Sequence, residues 1–129
     1  MHKTYDPKSI VQAGPSYHHG VEIVPGTRTL HISGQIGVDR HGHVGSTVRE
    51  QADIAFANVH AILEAAGMGL ENLVRIRCFL IDTADIEVLK VARSAFLGEA
   101  RPASSLLIVK ALGDPSWSVE VEAVAASFA

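Results

Sequence analysis

The stretch Thr47-Val48-Arg49-Glu50-Gln51-Ala52-Asp53-Ile54-Ala55-Phe56-Ala57-Asn58-Val59-His60-Ala61-Ile62-Leu63-Glu64-Ala65-Ala66-Gly67 carries a helix signal along its length and at both ends. Val48, Ala52, Ala55, Phe56, Val59, Ile62, Leu63 and Ala66 recur at helical spacing and form one apolar stripe. Thr47 is a favourable N-cap, Glu50 three residues on completes a capping box, and Gly67 supplies the stop. The spacing predicts a helix over 48–66. Downstream, residues 73–81 alternate Val74, Ile76 and Cys78 with Arg75 and Arg77 before both faces turn apolar, as in a buried strand. Asp82-Thr83 caps a second predicted helix over 84–97, with Ile86, Leu89, Val91 and Phe96 as its apolar positions and Gly98 as its end. Pro102 blocks further helix, residues 104–109 read as a strand, and Gly113-Asp114-Pro115-Ser116 as a turn. Residues 118–125 alternate cleanly as the last strand.

Upstream the elements are short antiparallel strands. The first covers 20–23, followed by a turn at Val24-Pro25-Gly26-Thr27 of the Pro-Gly type II kind. Residues 28–32 resume with Leu30 and Ile32 on one face and end at Ser33-Gly34, 35–38 could extend them, and Asp39-Arg40-His41-Gly42 makes a turn. The order ββ(β)–α–β–α–ββ predicts an α+β layer, with two helices on one face of a mixed sheet. The other sheet face then needs cover, and another subunit is the economical way to supply it.

Composition agrees. At 129 residues the chain suits one domain, which buries roughly two-thirds of its unfolded surface. Net charge is −3, from 11 Lys+Arg against 14 Asp+Glu, and the basic residues are scattered, so no nucleic-acid footprint is expected. The single cysteine excludes an intrachain disulfide framework and a Cys-based zinc site. No stretch reaches the ~18 apolar residues of a membrane span, and the N-terminus shows no signal-peptide core. The expectation is a soluble, cytoplasmic domain without a membrane partner. Mean hydropathy is +0.21 with only 5% aromatics, so the surplus is small and aliphatic and suits burial between subunits.

The residues that could carry chemistry are few. His18 and His19 are adjacent and, in a strand, point to opposite faces, so both cannot bind one ion. His41 and His43 could converge but sit in a polar turn, and His60 flanks the helix stripe, so no metal site is expected. Cys78 is either a small buried hydrophobe or, if an arginine reaches it, an activated thiol. Glu120 and Glu122 share a strand face opposite Val119 and Val121. They either line a solvated face, or one of them sits in a cleft where it positions or deprotonates a water.

Several stretches in this order and spacing resemble the Rid/YjgF family of reactive-intermediate deaminases across nearly the whole chain. They are Gly14-Pro15-Ser16-Tyr17-His18-His19-Gly20-Val21, His31-Ile32-Ser33-Gly34-Gln35-Ile36, Ala61-Ile62-Leu63-Glu64-Ala65-Ala66-Gly67, Arg101-Pro102-Ala103 and Val119-Glu120-Val121-Glu122-Ala123-Val124-Ala125. The resemblance implies a chorismate-mutase-like fold and a homotrimer with small-molecule clefts between subunits. It also implies cofactor-free hydrolysis of enamines and imines to a 2-keto acid and ammonia. It gives Glu120 the role of holding the attacking water, Tyr17 that of closing the pocket, and Ser33 and Gly34 that of lining it. The substrate-binding arginine of active members follows Pro-Ala, where this chain has Ser104. Arg101 lies three residues earlier, about 10 Å along an extended segment and with the opposite side-chain direction. Lys90 stands where those members often have Asn, and Leu106 where they often have Cys. An Arg–carboxylate pair contributes about 1.5–3 kcal/mol more than a serine hydroxyl, so Ser104 implies an altered substrate or weak activity. Lys90, Arg75 or Arg77 are the candidate replacement cations. The alternative is a trimer that holds a small metabolite in the same cleft without turnover.

Overall fold

The first strand, β1 (Lys3–Tyr5), pairs with β2 (Gly20–Glu22) in a small antiparallel ribbon of the computed structural model, which describes residues 2–128. The main sheet contains β3 (Arg28–Ile36), β4 (Leu73–Leu80), β5 (Ala103–Ile108) and β6 (Val119–Ser127), in the order β3-β6-β4-β5. β6 is antiparallel to both of its neighbours, whereas β4 and β5 are parallel. A parallel pair needs a crossover, which α2 (Ile86–Leu97) provides, and α1 (Val48–Ala65) links β3 to β4.

The α1 signals act as the sequence implies. Thr47 accepts the Glu50 N–H, and the Glu50 carboxylate reaches back to the Ser46 N–H and hydroxyl at 2.8 and 2.6 Å. Those bonds hold the Glu50 carboxyl below its ordinary range. Gly67 closes the helix at φ 70°, a left-handed conformation that suits glycine. The stripe residues Ala52, Ala55, Phe56, Val59 and Leu63 are buried against the sheet, and Phe56 stacks on Phe96 of α2 at 4.8 Å between ring centroids. Gln51, also buried, donates to Gly45 O and Ser116 O and accepts from the Ser118 N–H, tying the start of α1 to the turn that leads into β6.

From the sheet, Ile76, Cys78 and Leu80 of β4 and Val119, Val121, Ala123 and Ala125 of β6 complete the core. Arg75, Arg77 and Phe79, and Glu120, Glu122 and Val124, alternate onto the opposite face, which no helix covers. The expected α+β layer, with both helices on one face of a mixed sheet, is the fold found.

Four details differ from the sequence reading. β1 was not foreseen: three residues carry no periodicity, and their pairing depends on residues 20–22. β3 does not end at Ser33-Gly34 but passes through them as a bulge, because both oppose the single residue Glu122. The second helix begins at Ile86 after a 3₁₀ turn at Thr83–Asp85, capped by the Asp82 side chain on the Ala84 N–H. Val91, expected among its apolar positions, is 56% exposed, and Ala92 and Arg93 occupy the buried face with Leu89 and Leu97.

Phe56→Ala removes a buried ring from the α1–α2 contact. It is expected to destabilise the chain by about 3–5 kcal/mol, read as a lowered urea midpoint at matched protein concentration.

Candidate functional site

Alternation along β6 puts Glu120 and Glu122 on the uncovered face, but their surroundings separate them. Glu122 lies 2.8 Å from Arg77 Nε, at ion-pair distance though out of line for a hydrogen bond. The half-buried Glu120 makes no hydrogen bond or ion pair among the described residues. Its carboxylate lies over the Gly34 backbone, where a Cβ would come within 1.9 Å of Oε2. The bulge at Ser33-Gly34 and the absence of a side chain at 34 therefore make the space that this carboxylate fills.

A shallow cavity of about 420 Å³ on this face is lined by His31, Ile32, Ser33, Arg75, Arg77, Glu122, Ala123 and Val124. A second, of about 180 Å³ at the β5 edge, is lined by Tyr17, His18, His19, Arg75, Ala103, Ser104 and Ser105. Tyr17 is held there by its loop. Asp6 accepts the His19 backbone N–H at 2.8 Å and lies 2.6 Å from His18 Nδ1. The His19 ring reaches Val11 O and meets Tyr17 edge-on at 5.7 Å. The bond from the His19 N–H, then the contact with His18, hold the Asp6 carboxyl below its ordinary range.

The β4–β5 register pairs Ser104 with Ile76 and Leu106 with Cys78, so both side chains take the helix side of the sheet. Leu106 packs against the core. Lys90 is exposed on α2, 3.7 Å from Glu87. Arg101 donates to Gly98 O and Ala100 O and so closes the end of α2. Ser33, Gly34 and Glu120 are thus brought together on the open face, and Tyr17 and Ser104 at the β5 edge. Within one chain, Glu120 and the Ser104 side chain face opposite sides of the sheet.

Sequence reasoning passed over one residue. Arg93 is 9% exposed, and its Nη1 donates to Ser104 Oγ at 3.4 Å. A signal existed: 93 is four residues from both Leu89 and Leu97, so helical spacing puts it on the buried face of α2.

Burial pushes the Cys78 thiol up to about 11, against the pull of the neighbouring Arg93, so it is a packed side chain and not an activated nucleophile. Among the described residues no group of three or more His, Cys, Asp or Glu is placed to hold a metal ion. His60 pairs with Glu64 at 2.9 Å, and His41 and His43 lie in an exposed turn. No helix among the described residues is long and apolar enough to cross a membrane.

The sequence and fold have counterparts among known proteins. Residues 8–127 match the family model described as Endoribonuclease L-PSP. The 2-iminobutanoate/2-iminopropanoate deaminase of Homo sapiens is 36% identical over 100 residues, spanning 76% of this chain and 72% of that protein. The crystal structure of YyfB from Yersinia pestis, described as a protein of unknown function of the conserved Rid family, superposes with a TM-score of 0.86. It is 30% identical, covering 96% of this chain and 97% of that one. Escherichia coli TdcF, solved with bound serine, gives 0.71 at 28% identity, covering 89% and 90%. The chain belongs to the Rid/YjgF family, whose members include proteins named as imine deaminases.

A two-unit rise in thiol pKa reduces the thiolate about a hundredfold. Labelling of Cys78 by a disulfide reagent at pH 8 is therefore expected to be at least about a hundredfold slower in the native protein than in urea.

Proposed function

We propose that this protein is a cofactor-free imine and enamine deaminase, converting small 2-imino acids to 2-keto acids and ammonia in clefts between the subunits of a homotrimer. The observation that carries the reading is Glu120: a half-buried carboxylate with no partner among the described residues, seated over Gly34 on the uncovered sheet face. The deaminase names of relatives and the serine bound to TdcF support a small, carboxylate-bearing ligand. A second copy supports the cleft, because Ser104 and Glu120 of one chain face opposite sides of the sheet and need different subunits to meet.

In the reaction the Glu120 carboxylate accepts a hydrogen bond from a water and orients its oxygen toward C2 of the iminium. As the C–O bond forms, Glu120 takes a water proton and the C=N electron pair returns to nitrogen, giving a carbinolamine. Glu120 returns that proton to the amine, and the C–N bond breaks as the hydroxyl becomes the keto group. The hydroxyl proton leaves with the nitrogen, so iminium plus water becomes keto acid plus ammonium. Tyr17 and the Ser33-Gly34 backbone line the pocket, which excludes bulk water. Lys90 and Leu106, at positions that border this cleft in the family, alter its shape and charge.

Ser104, where active members have arginine, favours a second reading: the same trimer binding a small metabolite without turnover. Ammonia and keto-acid release from freshly generated 2-aminoacrylate and longer imino acids separates the two. Turnover above buffer is expected, falling about 10²-fold or more in Glu120→Gln. Gly34→Ala, whose Cβ displaces the same carboxylate, is expected to lower it as well. Absence of turnover from a folded assembly selects the binding reading. Light scattering should give three chain masses, and a monomer would remove the shared cleft.

A further inference from the structure

The lack of an arginine at 104 directs attention to the guanidinium behind it. Arg93 is nine-tenths buried between α2 and the β4–β5 pair, with Ser104 and Cys78 beside its guanidinium. Its Nε–H is buried without an acceptor, and the Nη1 bond to Ser104 Oγ is long, at 3.4 Å. The side chain makes no ion pair among the described residues. A guanidinium is a permanent cation, and one buried without an anion is costly. Cys78 does not supply the anion, since burial keeps its thiol protonated at neutral pH. Lys90, one turn before Arg93 on the same side of α2, adds a like charge, and the nearby Glu87 is taken up by Lys90. The cavity that Ser104 lines at the β5 edge thus has a donor fork behind it and no carboxylate among its lining residues, the planar anion that such a fork matches.

We propose that Arg93, reaching Ser104 from α2, supplies the carboxylate-binding cation of this protein, so that the Arg93–Ser104 pair binds a small 2-oxo or 2-imino acid. The clamp comes from the helix instead of from the strand, and Ser104 keeps the guanidinium aimed at the edge. This deepens the deaminase reading and rests on it for the ligand class, but binding tests it without turnover.

The probe is 2-oxobutanoate, titrated calorimetrically into the full-length protein beside its neutral amide. Arg93→Gln is expected to weaken 2-oxobutanoate about ten- to a hundredfold and leave the amide unchanged. Arg93→Lys should fall between, and Arg93→Gln with Ser104→Arg should recover affinity, which a merely structural role for Arg93 would not allow. In turnover, KM for the imino acid should rise more than kcat falls. Arg93-dependent binding in a protein with no turnover would sustain this inference and end the deaminase reading. Normal turnover, KM and 2-oxobutanoate affinity in Arg93→Gln would do the reverse. The inference is also overturned if wild type does not bind 2-oxobutanoate, or if Arg75→Gln, not Arg93→Gln, abolishes binding. It fails as well if Arg93→Gln dissociates the assembly at unchanged affinity.

Discussion

The period of two along β6 is the constraint from which the site follows. Val119, Val121, Ala123 and Ala125 must face the helices, because the core is built on them, and the intervening side chains have no choice but the other face. A slip of one residue against β3 or β4 would drive Glu120 and Glu122 into the apolar layer, where each unpaired carboxylate costs several kcal/mol. The requirement to bury aliphatic groups therefore aims the carboxylates. The bulge in β3 adds one local adjustment, giving Glu120 an open backbone surface to lie on while Glu122 is taken by Arg77.

The same sheet explains why chemistry is split between its two sides. The helix side carries Arg93, Ser104 and the buried thiol, and the uncovered side carries Glu120 and Arg75. Separation keeps the guanidinium from neutralising the carboxylate within a single chain. Across the sheet, Arg93 makes no ion pair and Glu120 no hydrogen bond or ion pair among the described residues.

Much of this was legible in the residues. The stripe from Val48 to Leu63, capped by Thr47 and ended by Gly67, specifies α1 through local rules alone, and the alternation of β6 specifies its two faces. The difference between Glu120 and Glu122 was not legible, since it depends on which residues of β3 and β4 lie opposite. The bulge was hidden for the same reason: it is a mismatch in count between two strands far apart in sequence. Val91 was misplaced, and Arg93 passed over, by weighting side-chain type over spacing. Spacing put 93 inside and 91 outside.

Strand order has a consequence for how the molecule comes into being. β6 lies between β3 and β4, yet it leaves the ribosome after β1 to β5. Until then β3 and the β4–β5 pair are two fragments with open edges, and the pairing of Arg28 with Ser127 closes a loop over most of the chain. Folding dominated by such distant pairings is slow, and the sheet cannot close before β6 has been made. A message read only to the end of β5 would yield a product with two naked edges in place of a sheet, and such edges recruit other strands into aggregates. The strand that carries Glu120 is thus also the one that joins the two fragments into a sheet.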